Sequence, residues 1–250
     1  MIDRLRAEWK QRVKWPIKRH LSRLACRHLG LYPDPPIRVH QMGNPVGLIA
    51  DLGLDCRGLI HVGANLGREF DSYRRAGLES VIYIEAIPDI CARLQARISI
   101  DNRHRAFNAL CTDRDGDEVE FHVASNAGQS SSIFEFGLHA ERHPQVRYVS
   151  TLRLRTSTLD RIVFETPSLD YRLLDCLVLD VQGAEAKVLA GAKRTLGLCR
   201  FVFVEVSEGG IYKGDMPKEA IFDMLKVEGF VLKSLDINWA GWGNAFFVKA

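Results

Sequence analysis

Residues 58–67 read G-L-I-H-V-G-A-N-L-G. The apolar run 58–62 has the length of a buried strand, and it enters a glycine-bracketed turn from which a helix is expected to leave. Gly63 and Gly67 omit side chains where a ligand would have to approach the backbone closely. Glu85 closes the next apolar run, 18 residues beyond Gly67. A carboxylate at the end of a second strand can accept hydrogen bonds from both hydroxyls of a ribose. The competing reading is a solvated strand-end acid, and the position favours the ribose.

Outward from this stretch, apolar runs alternate with helical patterns. Helices are expected over residues 45–52, 66–76, 88–98, 184–196 and 216–228. Strands are expected over 58–62, 80–85, 105–110, 175–181 and 201–206, with a hairpin-like pair at 230–235 and 244–249. Pro88 suits a first helical turn. Residues 118–124 alternate V-E-F-H-V and should pair antiparallel with 145–155. The pattern predicts an α/β fold: a Rossmann-like, doubly wound, mostly parallel seven-stranded sheet with a C-terminal antiparallel pair.

In such a sheet, ligands bind beyond the carboxyl ends of the strands, where strand order reverses. Polar groups finish the otherwise apolar strands there: His61, Glu85, Asn108, Asp180 and Glu205. The turn after the first strand is not the dinucleotide fingerprint, because Asn65 stands where a second glycine would admit a pyrophosphate. A nicotinamide or flavin enzyme is therefore disfavoured. A smaller donor without a pyrophosphate, S-adenosylmethionine, suits the turn.

Several segments together are similar to the FkbM-type methyltransferases. They are H-V-G-A-N-L-G at 61–67, I-E-A-I-P at 84–88, S-S-S-I at 130–133, L-D-V-Q-G-A-E at 179–185, V-L-A-G-A at 188–192, V-E-V-S at 204–207 and I-Y-K-G at 211–214. The resemblance covers roughly residues 55–248, and D-V-Q-G-A-E is its most specific element. It implies an S-adenosylmethionine-dependent methyltransferase, often acting on hydroxyl groups of sugars in glycolipids, polysaccharides or glycosylated natural products. It also implies that Gly63, Asn65 and Gly67, with Ala64, cradle the methionine part. Glu85 and Ala86 would hold the ribose, and Ala109 and Leu110 would border the adenine. The family commonly carries an acid where His61 stands; His61 can orient the methionine part through a ring nitrogen, or it is a simple buried histidine.

A sugar hydroxyl is a weak nucleophile near neutral pH and gains from a general base. Asp180, at the end of the central strand, is the first candidate, and capping the following turn is its rival role. Glu205 is the second candidate, as the base or as a ligand of the acceptor's hydroxyls. Gln182, Glu185 and Tyr212 are assigned to the acceptor, with support of a helix dipole as the alternative for Glu185. The loop 126–137 is expected to border the cofactor through Ser131 or Ser132. His122, His139 and His143 complete the inventory of candidate bases, with surface histidines the favoured reading, and no metal is expected. Trp239 and Trp242 either stack on a sugar ring or cover the sheet edge.

Six scattered cysteines without a C-x-x-C pair argue against a zinc site or a disulfide framework and for a reducing cytoplasm. The net charge of +3 divides unevenly: residues 1–30 carry +7, which leaves −4 for the remainder. That body does not read as a nucleic-acid binder. Residues 1–36 form a separate basic helical arm with a Pro-rich linker, ahead of a methyltransferase domain over 37–250. In the arm Leu5, Trp9, Val13, Ile17, Leu21 and Leu24 share one helical face. Such a helix lies peripherally on an anionic membrane, or packs on the domain or on a second copy in a homo-oligomer. The expected acceptor is a small molecule or glycan. The alternative function is a catalytically inactive methyltransferase fold acting as a binding or scaffold protein, for which His61 is the only hint.

Overall fold

The computed structural model describes residues 44–250. The basic arm and linker over residues 1–36, with their expected membrane or subunit contacts, lie outside the described residues.

A short helix, α1 (Pro45–Asp51), leads into β1 (Gly58–Val62), α2 (Phe70–Arg75), β2 (Ser80–Glu85), α3 (Pro88–Ile98) and β3 (His104–Asn108). The chain then forms β4 (Leu110–Cys111), β5 (Glu118–Ala124), α4 (Leu138–Arg142), β6 (Tyr148–Ser157) and α5 (Leu159–Glu165). It returns to the main sheet with β7 (Cys176–Leu179), then α6 (Glu185–Ala190), α7 (Lys193–Leu198), β8 (Phe201–Ser207), α8 (Lys218–Val227), β9 (Phe230–Ile237) and β10 (Trp242–Lys249).

The main sheet has seven strands in the order β3-β2-β1-β7-β8-β10-β9. The first five are parallel; β10 runs antiparallel to both β8 and β9. This is the expected mostly parallel sheet with its C-terminal antiparallel pair. Successive side chains on a strand point to opposite faces, and each face of β1 finds its own helices. Ile60 and Val62 join a core with Val163 of α5, Val188 of α6, Leu196 of α7 and Leu225 of α8. Leu59 joins the other, with Ile49 of α1, Tyr73 of α2 and Leu94 of α3. Burial on both faces explains why β1, β2 and β7 read as almost unbroken apolar runs.

Strand order reverses between β1 and β7. From β1 the chain builds outward to β2 and β3, then crosses back and builds outward again through β7 and β8. The two helices that follow β1 and β7 therefore diverge, and a crevice opens at the strands' carboxyl ends.

The structure departs from the sequence expectation in five places. The helix expected from residue 66 begins only at Phe70, because Asn65 (φ 47°) and Gly67 (φ 62°) adopt left-handed conformations that an α-helix cannot contain. The strand expected over 105–110 ends at Asn108. Residues Leu110–Cys111 instead pair with β6, which also pairs antiparallel with β5, so that a separate three-stranded sheet forms. The strand expected over 175–181 is only Cys176–Leu179, and Asp180 follows it. The single helix expected over 184–196 is two, divided at Gly191, where an added Cβ would sit 2.2 Å from the Thr112 carbonyl oxygen. Helix α5 was not expected; Thr158 caps it by accepting a hydrogen bond from the Arg161 N–H at 3.2 Å.

Candidate active site

The crevice is a cleft of about 420 Å³, within the range of small-molecule sites. Its floor is the β1–β7 junction. Gly63 (φ 83°) turns the chain away from β1 so close to β7 that an added Cβ would lie 1.8 Å from the Asp180 carbonyl oxygen. The glycine is thus demanded by the fold as well as by any ligand. Gly67 does not line the cleft; a Cβ there would meet Leu94 Cδ1 at 2.5 Å, so helix packing accounts for it.

At one end of the cleft, Glu85 is 6% exposed. Its Oε1 accepts the Ile87 N–H and its Oε2 accepts the Asn65 N–H, both at 2.8 Å. Burial raises its pKa, and these N–H groups oppose the rise. Each oxygen keeps acceptor capacity for a hydroxyl. Asn65 also ties the turn to the loop that faces it, donating from Nδ2 to the Ala127 carbonyl at 3.1 Å. Asn108 Nδ2 donates to the Glu85 and Ala86 carbonyls, which fixes the neighbouring strand end. Leu110, Phe121 and Ile133 make this end apolar.

At the centre stand three carboxyl groups. Gln182 (φ 54°) donates from Nε2 to Asp180 Oδ1 at 2.5 Å and to Glu205 Oε2 at 2.9 Å. Its Oε1 accepts the Tyr212 hydroxyl at 2.6 Å. Asp180 is open to solvent only along the cleft, and protein surrounds the rest of it, so desolvation raises its pKa. Glu205 is pushed well above the usual carboxylate range by burial and then by its neighbours Asp180 and Glu185. The Asp180 and Glu205 carboxyls share the Gln182 Nε2 donor, and like charges held this close disfavour joint ionisation, which adds to the rise at Glu205.

Glu185 plays a different part from these two. Its Oε1 accepts the Val181 and Gly183 N–H groups at 3.0 and 3.2 Å. It therefore pins the turn that presents Asp180 and Gln182, and burial pushes its pKa up to about 7. His61 forms part of the floor, 5% exposed, with Nδ1 3.3 Å from the Tyr73 hydroxyl. Burial lowers its pKa, so the ring is neutral near pH 7.

The loop over residues 126–132 closes one side. Ser131 lines the cleft, and its Oγ accepts the Ala124 N–H at 2.9 Å. Ser132 does not line it; its Oγ donates to the Gln182 carbonyl at 2.8 Å, so it braces the turn that carries Asp180 and Gln182. Ala64, Ala86, Ala109 and Leu110 all line the cleft, as do Gln182, Glu185 and Tyr212.

Two residues passed over in the sequence belong to the site. His139 is not at the surface: it is 5% exposed, stacked on Phe136 at 4.2 Å, with Nε2 3.1 Å from Ser130 Oγ. Apolar surroundings bring its pKa down to about 4. The histidine pair at 139 and 143 looked solvent-facing because α4 is only five residues long and shows no apolar stripe. Asp215 accepts from Ser207 Oγ and from the Gly210 and Ile211 N–H groups, and so shapes the loop that carries Tyr212. The aspartate after I-Y-K-G was the available signal. Trp242 lines the cleft, whereas Trp239 is 88% exposed on the β9–β10 turn.

These features fit S-adenosylmethionine. Glu85 offers free acceptor capacity for ribose hydroxyls beside an apolar end suited to adenine. Gly63 leaves the turn without a side chain. Six carboxyl groups and one guanidinium line the cleft, which favours a positively charged sulfonium.

The chain is similar to several known proteins. The 2-O-methyltransferase NoeI of Sinorhizobium fredii is 29% identical over 174 residues, covering 67% of this chain and 70% of that protein. Among solved structures, the methyltransferase domain of bacterial CtHen1-C aligns with a TM-score of 0.49 at 11% identity, over 84% of this chain and 97% of its own. Magnesium protoporphyrin IX methyltransferase from Synechocystis aligns at 0.48 and 13%, over 90% and 92%. The family described as the methyltransferase FkbM domain matches residues 61–232, well over half of the sequence. The chain therefore belongs to the FkbM methyltransferase family and is an S-adenosylmethionine-dependent methyltransferase.

Proposed function

We propose that the protein transfers the methyl group to a hydroxyl oxygen of a sugar, in a glycolipid, polysaccharide or glycosylated natural product. The observation that carries this reading is the carboxyl pair Asp180–Glu205, which lines the cleft and is bridged by Gln182. An alcohol must lose its proton as its oxygen attacks, and a carboxylate beside the attacking oxygen can take it. An amine acceptor would have less need of so basic a carboxylate. The relative in Sinorhizobium fredii, whose name specifies methyl transfer to an oxygen, supports the same choice.

When bound, S-adenosylmethionine would supply an electrophilic methyl group on a cationic sulfur that serves as the leaving group. Glu85 would anchor the ribose end, and the Gly63–Asn65 turn would receive the methionine end. Asp180 would accept the hydroxyl proton as the new carbon–oxygen bond forms, and Gln182 holds the Asp180 and Glu205 carboxyls in place. Positioning of this kind supplies up to ~7–11 kcal/mol of rate enhancement in favourable cases.

The test is incubation with labelled S-adenosylmethionine and a panel of glycans, followed by product mass spectrometry. Methylated sugar from the parent protein, and a loss of roughly 10²–10⁴ in kcat for Asp180→Asn, are expected. Methyl transfer only to nitrogen or carboxylate acceptors would contradict the reading.

A further inference from the structure

Away from Glu85, the cleft ends in an aromatic wall that no step above employs. Three chain segments build it. The segment entering α4 is laced to the loop after β8: the Gly137 and His139 N–H groups donate to the Ile211 carbonyl, and the Leu138 N–H donates to Gly210. Arg142 Nη1 donates to the Ala240 carbonyl and so draws the start of β10 against α4. The result is a run of rings in contact. Tyr148 stacks on Phe136 at 3.9 Å, Phe136 on His139 at 4.2 Å, and His139 lies near-parallel to Trp242 at 6.3 Å, with interplanar angle 13°. His143 lies 5.0 Å from Trp242 and 5.2 Å from His139, so the three rings form a compact triangle. Of these, His139, His143 and Trp242 line the cleft.

Two features set this wall apart from ordinary core. His139 Nδ1 and His143 Nε2 are out of solvent yet have no hydrogen-bond partner in the protein, although native structures seldom leave such atoms unanswered. The wall also adjoins the catalytic centre: the Tyr212 ring is 5.6 Å from His139, and its hydroxyl donates to Gln182, which holds Asp180 and Glu205. Around the whole cleft one guanidinium, Arg68, faces six carboxyl groups. An acceptor bearing phosphate, sulfate or carboxylate near its reacting hydroxyl would meet like charge.

We propose that this wall is the acceptor subsite and that it selects an uncharged sugar ring, with Trp242 as its platform and His143 packed beside it. The inference rests on the sugar-hydroxyl reading above and adds where the acceptor sits and what charge it carries. A pyranose presents C–H groups on one face and hydroxyls at its rim. An aromatic face receives the former. His139, neutral and stacked from behind, fixes the platform.

The experiment uses the full chain with a panel of neutral octyl glycosides (gluco, galacto, manno, fuco and rhamno) and the matching uronides. Methyl transfer gives KM and kcat, and calorimetry gives S-adenosylmethionine affinity. For the neutral glycoside that the parent methylates best, Trp242→Ala should raise KM tenfold or more while kcat and cofactor affinity stay within about threefold. Trp242→Phe should recover most of the KM, and His143→Ala should raise it severalfold. The uronides should be poorer by tenfold or more. An unchanged KM in Trp242→Ala and His143→Ala, or equal use of uronides, would overturn the subsite while leaving sugar methylation intact. Transfer by the parent to non-sugar acceptors alone would overturn both. A fall in cofactor affinity for the conservative Trp242→Phe variant would assign the wall to the cofactor and overturn the subsite too.

Discussion

Glu185→Gln isolates the electrostatic cost of the turn that carries Asp180. The carboxyl is 6% exposed, and burial followed by the nearby Asp180 charge raises its pKa from the ordinary 4.5 to about 7. A raised carboxyl pKa means that the folded state binds the proton more tightly than the unfolded chain does. The associated stability is present in full below pH 4.5 and is lost as the pH climbs through about 7. At ~1.4 kcal/mol per pKa unit, the loss between pH 4.5 and 8 is about 3 kcal/mol. Glutamine keeps an Oε1 that can accept the Val181 and Gly183 N–H groups, so the turn survives while the titration disappears. Urea unfolding of parent and variant, followed by tryptophan fluorescence at several pH values across this range, gives the difference directly. The variant should gain about 3 kcal/mol on the parent from pH 4.5 to pH 8. Asp180 and Glu205 titrate in both proteins, so only their coupling to Glu185 enters the difference. A difference independent of pH would refute the assignment of a buried, proton-holding carboxyl at this position.

Two further expectations concern the frame around the site. Gly63→Ala places a methyl 1.8 Å from the Asp180 carbonyl oxygen in a left-handed conformation. It should destabilise the protein by roughly 3 kcal/mol or more, from overpacking together with backbone strain, and an unchanged melting temperature would contradict the close approach of β1 and β7. At the opposite edge of the sheet, Asp175 is 1% exposed, accepts the Arg57 and Gly58 N–H groups and lies within 3.7 Å of the Arg57 and Arg200 guanidinium groups. Asp175→Ala leaves those donors unanswered and should cost about 3–5 kcal/mol in chemical denaturation, with cofactor affinity unaffected in the fraction that remains folded.

What could be read from the sequence was set by periodicity and by burial. The strands β1, β2, β7 and β8 are covered on both faces, so their apolar runs stand out, and their polar last residues mark the cleft before any coordinates are seen. Glu85, Asp180 and Glu205 were visible for that reason. Backbone conformation was not visible. Nothing in A-N-L-G announces that Asn65 and Gly67 are left-handed, and the helix was accordingly started four residues early. The glycine pattern also carried two meanings under one spelling: Gly63 faces the cleft, whereas Gly67 serves the packing of Leu94. The match of β5 with β6 is legible in the alternation of 118–124, but the attachment of β4 to β6 joins segments too far apart for local pattern to connect. The burial of His139 likewise depends on Phe136, Tyr148 and Trp242 arriving from three directions. Glu185 illustrates the last difficulty. An acid at the start of α6 could contact an acceptor or support the helix, and only the two N–H groups on its Oε1 show that it holds the preceding turn.

The most direct measurement is a crystal structure of the full chain with S-adenosylhomocysteine. The ribose hydroxyls should rest on the Glu85 carboxylate, the adenine beside Leu110 and Phe121, and the sulfur toward the Asp180–Glu205 pair. Ligand bound away from the β1–β7 junction, or bound there with its ribose turned from Glu85, would contradict the placement of the donor on which the chemistry depends.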